Sequence, residues 1–114
     1  MEHRMNLRPG PFEMIASGRK TIELRLWDEK RQGIVVGDTI VFRHTDDSAR
    51  QVKTVVKALH RFHSFEALYA ALPLDQCGYL PEELAQASHE DMLAYYSQQE
   101  QERWGVVGIA IELI

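Results

Sequence analysis

The chain has one cysteine, Cys77, in 114 residues. A single thiol cannot close an internal disulfide, which excludes a disulfide-stapled scaffold and points to a reducing, cytoplasmic setting. No stretch approaches the roughly 18 apolar residues of a membrane span. The opening MEHRMNLRPG has no apolar centre of the kind a signal peptide carries, so no membrane partner is expected. Neither Gly-x-x-x-x-Gly-Lys nor Gly-x-Gly-x-x-Gly occurs, which removes the common phosphate-cradling loops. His60 and His63 stand three apart in a segment with strand character, where they face opposite sides. With no Cys-x-x-Cys or His-Glu-x-x-His spacing either, no metal and no cofactor are expected. Repeats, low-complexity runs and Gly/Ser linkers are also missing, so one domain spanning residues 1–114 is expected, large enough to bury its own core. Basic residues are almost absent from the second half. After His63 there is one, Arg103, against 9 acidic residues, whereas Met1–His63 holds 12 basic and 8 acidic. The net charge of −4 excludes a protein that coats nucleic acid indiscriminately. The asymmetry reads either as a partner-binding surface or as two halves attracting each other across the fold.

What is present is a succession of short periodic segments. HRMNLR suits a short strand. PGPFEMIASG suits a helix with Pro11 at its first position, Phe12, Ile15 and Ala16 on one face, and Gly18 as the residue that ends it. TIELRLW alternates strictly, with Ile22, Leu24 and Leu26 on one side and Thr21, Glu23, Arg25 and Trp27 on the other. DEKRQG reads as a polar loop, and Gly37-Asp38 as a turn before the strand TIVFRH. QVKTVVKALHRFH is a long strand whose alternation slips near Val55-Val56, the mark of a bulge. Ser64 caps a helix that Pro73 stops, and Ser88 with Asp91 opens a second helix running through HEDMLAYYSQQEQER. The nearly all-apolar VVGIAIELI suits a central strand. These elements predict an α+β fold, a small, mostly antiparallel β-barrel with about three peripheral helices.

Chemistry concentrates on the strand SGRKTIELR. Thr21, Glu23 and Arg25 share its polar face, Lys20 just precedes it, and Lys30 and Arg31 follow a strand-length later. A carboxylate flanked by Lys and Arg stays ionised and can orient a water or accept a proton. The same cations can hold a phosphate, a carboxylate or a carbonyl oxygen. The competing reading is a solvated ladder of ion pairs, each worth well under about 1 kcal/mol. Cys77 has no neighbour that would lower its pKa and reads as a bystander. In YYSQQEQERWG, Tyr95 and Tyr96 adjoin, so that one packs while the other faces outward.

MNLRPGPFEMIASGRKTIELRLWDEKRQGIVVGDTIVFRH, followed by YYSQQEQERWGVVGIAIELI, closely resembles the ASCH family of PUA-like domains. The resemblance implies a small β-barrel ringed by helices and an association with RNA or a nucleoside-like small molecule. It implies a cleft lined by the Gly-x-Lys-Thr-x-Glu-x-Arg strand and the helical segment before the last strand, with Lys20, Glu23, Arg25, Lys30, Arg31, Tyr96 and Ser97 facing one cavity. Some relatives are enzymes. An amidohydrolase branch carries Lys-Thr-x-Thr-x-Arg, which Lys20 and Arg25 match, while Glu23 stands in place of the second threonine and Thr21 occupies the other threonine position. A branch linked to RNA cleavage uses a lysine with a tyrosine or serine, types that Lys20, Tyr96 and Ser97 supply. Three functions follow: an RNA- or modified-nucleoside-binding module, a hydrolase with Lys20 and Glu23 at its centre, and a protein-interaction module using the acidic second half.

Overall fold

In the computed structural model, which describes Met1–Ile114, the alternating segments pair into one five-stranded sheet of order β1-β3-β4-β5-β2. The strands are β1 (Glu2–Leu7), β2 (Ile22–Leu26), β3 (Thr39–His44), β4 (Gln51–Phe62) and β5 (Val106–Leu113). β1 runs parallel to β3, and every other pairing is antiparallel. The fold is α+β, and the sheet curls into a half-barrel with β1 and β2 as its two free edges. Backbone pairing stops at those edges, so the barrel has an open seam.

Register decides which way the charged strand faces. In the β2–β5 pair, Glu23 lies opposite Ile109 and Arg25 opposite Val107, while Ile22, Leu24 and Leu26 lie opposite Ala110, Gly108 and Val106. Paired residues share a face. Val107, Ile109 and Ile111 enter the main core with Met5, Leu7, Ile40, Phe42 and Val56. Glu23 and Arg25 therefore turn into the barrel. The aliphatic side of β2 turns outward and is covered by Phe65 and Leu68 of helix α3 (Phe65–Ala71). The strict alternation of TIELRLW holds, but its polar side is the inner one. In β4 the alternation slips at Lys57, skipped between the Val56–Ile111 and Ala58–Ala110 pairs. The bulge lets both Val56 and Leu59 pack on the core.

Several helical boundaries differ from expectation for local reasons. Helix α1 (Pro9–Ala16) starts with Pro9, not Pro11, whose missing N–H falls among the first-turn donors that lack partners anyway. Phe12 and Ile15 are buried and Ala16 is exposed. The expected loop DEKRQG contains one helical turn, α2 (Glu29–Gln32), because the Asp28 carboxylate accepts the Arg31 N–H at 3.2 Å. The single helix expected after Ser88 is two pieces, a 3-10 turn (His89–Ala94) and helix α4 (Gln98–Trp104), each opened by its own capping box. Two further 3-10 turns, Leu74–Gln76 and Pro81–Gln86, raise the helical content above the three helices expected. Gly105 joins α4 to β5 at φ 70° and ψ −174°, a conformation essentially confined to glycine. No helix is long and apolar enough to cross a membrane.

Candidate functional site

The seam between β1 and β2 opens into a cleft of about 590 Å³. Its sides are the end of β1 with the start of α1, the inner face of β2, and the irregular segment between Cys77 and Tyr96.

Glu23 is the centre of the site and is only 3% exposed. Lys20 Nζ lies 2.6 Å from its Oε1, and the Arg25 guanidinium lies 2.8 Å from its Oε2. Arg25 Nη2 also donates to the Asn6 carbonyl at 3.2 Å, so a β2 side chain spans the seam where backbone pairing is missing. Burial works to raise the Glu23 pKa, but the charges of Lys20 and Arg25 outweigh it and hold the carboxyl below its ordinary value. Burial likewise opposes the charge on Arg25, and the Glu23 carboxylate together with Tyr96 more than offsets it. Two cations and one anion give this cluster one net positive charge, which Asp91 and Glu83 face from the other side of the cleft. The Lys20 ammonium has three N–H donors. One is committed to Glu23, so the others can meet a ligand.

Local structure fixes Lys20. Its backbone N–H donates to the Met14 carbonyl at 3.0 Å, anchoring it to the end of α1. Its side chain then runs over Gly78, where a Cβ would stand 3.4 Å from Lys20 Cδ. Gly78 has φ +110°, so any side chain there is strained by the backbone as well.

The opposite wall is aromatic and acidic. Tyr96 stacks on Phe65 with centroids 6.2 Å apart, and burial raises its pKa. Tyr95 is 60% exposed. The Tyr79 hydroxyl donates to Asp91 at 2.6 Å, so its contact with Tyr69 at 2.8 Å must use the Tyr69 proton. The result is a directed chain from Tyr69 through Tyr79 to the Asp91 carboxylate. Burial and the bond donated to Asp91 raise the Tyr79 pKa and keep it neutral. Cys77 also reaches the cleft, but its thiol donates to the Pro73 carbonyl at 3.4 Å and burial pushes its pKa up to about 11. A thiol so placed is a poor nucleophile.

Lys20, Glu23, Arg25 and Tyr96 thus line one cavity, and the other expected residues do not. Thr21 precedes β2, and its hydroxyl donates to the Gln76 side chain at 3.1 Å. Ser97 accepts the Glu100 N–H at 3.1 Å as the cap of α4. Arg31 turns to Asp28, with Nη1 3.1 Å from Oδ2, and its charge is felt at Tyr96. Lys30 lines a separate groove with Arg4 and Arg43. Asn6, Arg8, Gly78, Tyr69, Tyr79 and Asp91 belong to the cleft without having been singled out as ligand contacts. Only Asp91 had a local signal, the capping box, and that signal describes a turn.

The ASCH domain family matches residues 5–114. Among solved structures, the hypothetical protein PH0355 is 30% identical, with a TM-score of 0.82 over 100% of both chains. The protein PF0455 from Pyrococcus furiosus is 33% identical, with a TM-score of 0.72 over 100% of this chain and 98% of that one. The ASCH protein of Zymomonas mobilis shares the fold at a TM-score of 0.66 and 17% identity, over 97% of this chain and 66% of its own. No curated protein matches the chain.

Proposed function

The chain belongs to the ASCH domain family, and on that premise we propose that its cleft binds a single nucleoside unit, either of single-stranded RNA or as a free modified nucleoside. The observation that carries this reading is the buried Lys20–Glu23–Arg25 set facing a tyrosine-rich wall across about 590 Å³. That volume falls within the usual range for small-molecule sites. A nucleobase presents two π-faces and a planar edge of donors and acceptors. Tyrosines suit the faces, the remaining N–H donors of Lys20 suit a base carbonyl, and the Asp91 side suits an exocyclic amine. One net positive charge on a buried floor suits a nucleoside or a lone phosphate better than a polyphosphate.

The geometry gives less support to hydrolysis through Glu23. Both of its oxygens are engaged by cations, and its lowered pKa makes it a weak proton acceptor. Glu23 fits better as the anion that fixes Lys20 and Arg25. The test is an NMR titration of the full chain with the four ribonucleosides and a short single-stranded RNA. Shifts are expected at Lys20, Glu23, Arg25, Gly78 and Tyr96, and K20M and R25Q should each weaken binding about tenfold, near 1.4 kcal/mol. Silence at these positions with every probe, or affinity unchanged in both variants, overturns the reading.

A further inference from the structure

A second concavity lies on the outer face of the same edge of the sheet. The register builds it in two consecutive rows. Asn6 of β1 pairs with Arg43 of β3, which pairs with Gln51 of β4. Next to that row, Arg4 pairs with Val41. Lys30, from α2 across the seam, closes a groove of about 260 Å³ lined by these residues. No acidic residue lines it. Arg43 and Lys30 have no carboxylate partner within 4.0 Å, and Arg4 has only a long contact of 3.4 Å with the exposed Glu2. Two cations without a carboxylate partner and a third that is loosely paired, set over a mostly polar floor, suit an anion. The groove is not isolated from the cleft. Asn6 lines both, and its carbonyl holds Arg25 at the cleft floor.

We propose that this groove, formed by Arg4, Lys30 and Arg43, carries the phosphodiester backbone of a single-stranded nucleic acid whose base occupies the neighbouring cleft. The proposal rests on the nucleoside reading of the cleft and extends it: the cleft takes the base and sugar, and the groove takes the phosphates that follow along β1. It also gives Lys30 a place, since Lys30 accompanies the cleft residues in sequence but stands outside the cleft. A free nucleoside would leave the groove empty, so the groove favours a strand over a detached small molecule as the ligand.

The experiment compares the wild-type chain with R43Q and with the triple variant R4Q/K30Q/R43Q. All three side chains are exposed, so the variants retain the core. Fluorescence anisotropy with a labelled single-stranded hexaribonucleotide gives affinity across a salt series, and NMR gives ribonucleoside binding. R43Q should weaken hexamer binding about three- to tenfold. The triple variant should flatten the log–log salt slope by about 2, since each lost single-strand phosphate contact removes roughly 0.7. Ribonucleoside binding should change by less than about twofold. Hexamer affinity and slope that survive the triple variant, or a wild-type chain that binds the hexamer no better than a nucleoside, overturn the groove and leave the cleft reading standing. Hexamer binding that depends on the groove while ribonucleosides fail to shift Lys20 and Arg25 overturns the cleft reading instead.

Discussion

Glu23 holds together two cations that would otherwise repel each other inside the barrel. Removing the carboxylate in E23Q leaves Lys20 and Arg25 buried without a counter-charge, a change that costs on the order of 3–5 kcal/mol. Urea unfolding at pH 7 measures it. A buried ion cluster is seldom more stable than an apolar replacement of like volume. K20M/E23L/R25M should therefore unfold at or above the wild-type urea midpoint, yet bind no nucleoside, which would assign the charges to ligand recognition. The pH dependence has a definite sign. Glu23 has a folded pKa below its unfolded value, so its contribution is complete above the unfolded carboxylate pKa of about 4.3 and is lost as the pH falls toward the folded value. The acid limb of stability against pH should be shallower in E23Q than in wild type, and equal slopes would contradict the ion cluster. At this scale the sequence was legible in part. The crowding of Lys20, Glu23 and Arg25 was visible; that the carboxylate is enclosed was not, because enclosure depends on the pairing of β2 with β5.

Elements with strong periodicity or caps are where sequence and structure agree: the alternation of β2, the apolar β5, the bulge in β4, and α3 with its Ser64 cap. The misreadings arise where polar side chains compete for backbone groups. Asp28 turns a loop into a helical turn, and Ser97 interrupts the expected long helix two residues after Tyr95. The second box was readable as Ser97 followed by Glu100 three positions on, but helical periodicity on both sides concealed the break. That break lets Tyr96 pack on Phe65 at the cleft while Tyr95 stays in solvent. S97A should lower stability by about 1 kcal/mol, the usual effect of losing such a cap, and change nucleoside affinity less than twofold. Thermal unfolding together with an NMR titration separates the two effects, and a tenfold loss of affinity without loss of stability would return Ser97 to the ligand.

Across the whole molecule, β5 lies between β4 and β2 at the heart of the sheet, while β1 and β2 are held from one side only. Amides of Val107, Ile109 and Ile111 should be the slowest to exchange with deuterium, and those of β1 among the fastest of the sheet. A ligand seated in the seam should slow β1 and β2 and leave β5 unchanged; uniform slowing would point to a site elsewhere. The apolar run of β5 marks it as central in the sequence, but strand order and the parallel β1–β3 pairing could not be read there, since they are relations between segments more than thirty residues apart. The open seam has a further consequence. An edge strand is a template on which another chain can add a strand and begin to aggregate. Here the two templates face each other across a space too charged to let them join, with Arg25 occupying the one carbonyl it reaches on β1 and cations standing along the outer side of that edge. The charged residues that line the open seam thereby also guard the sheet against pairing with its own copies. Substitutions that neutralise them are expected to promote strand addition between copies in concentrated solution, which light scattering would register.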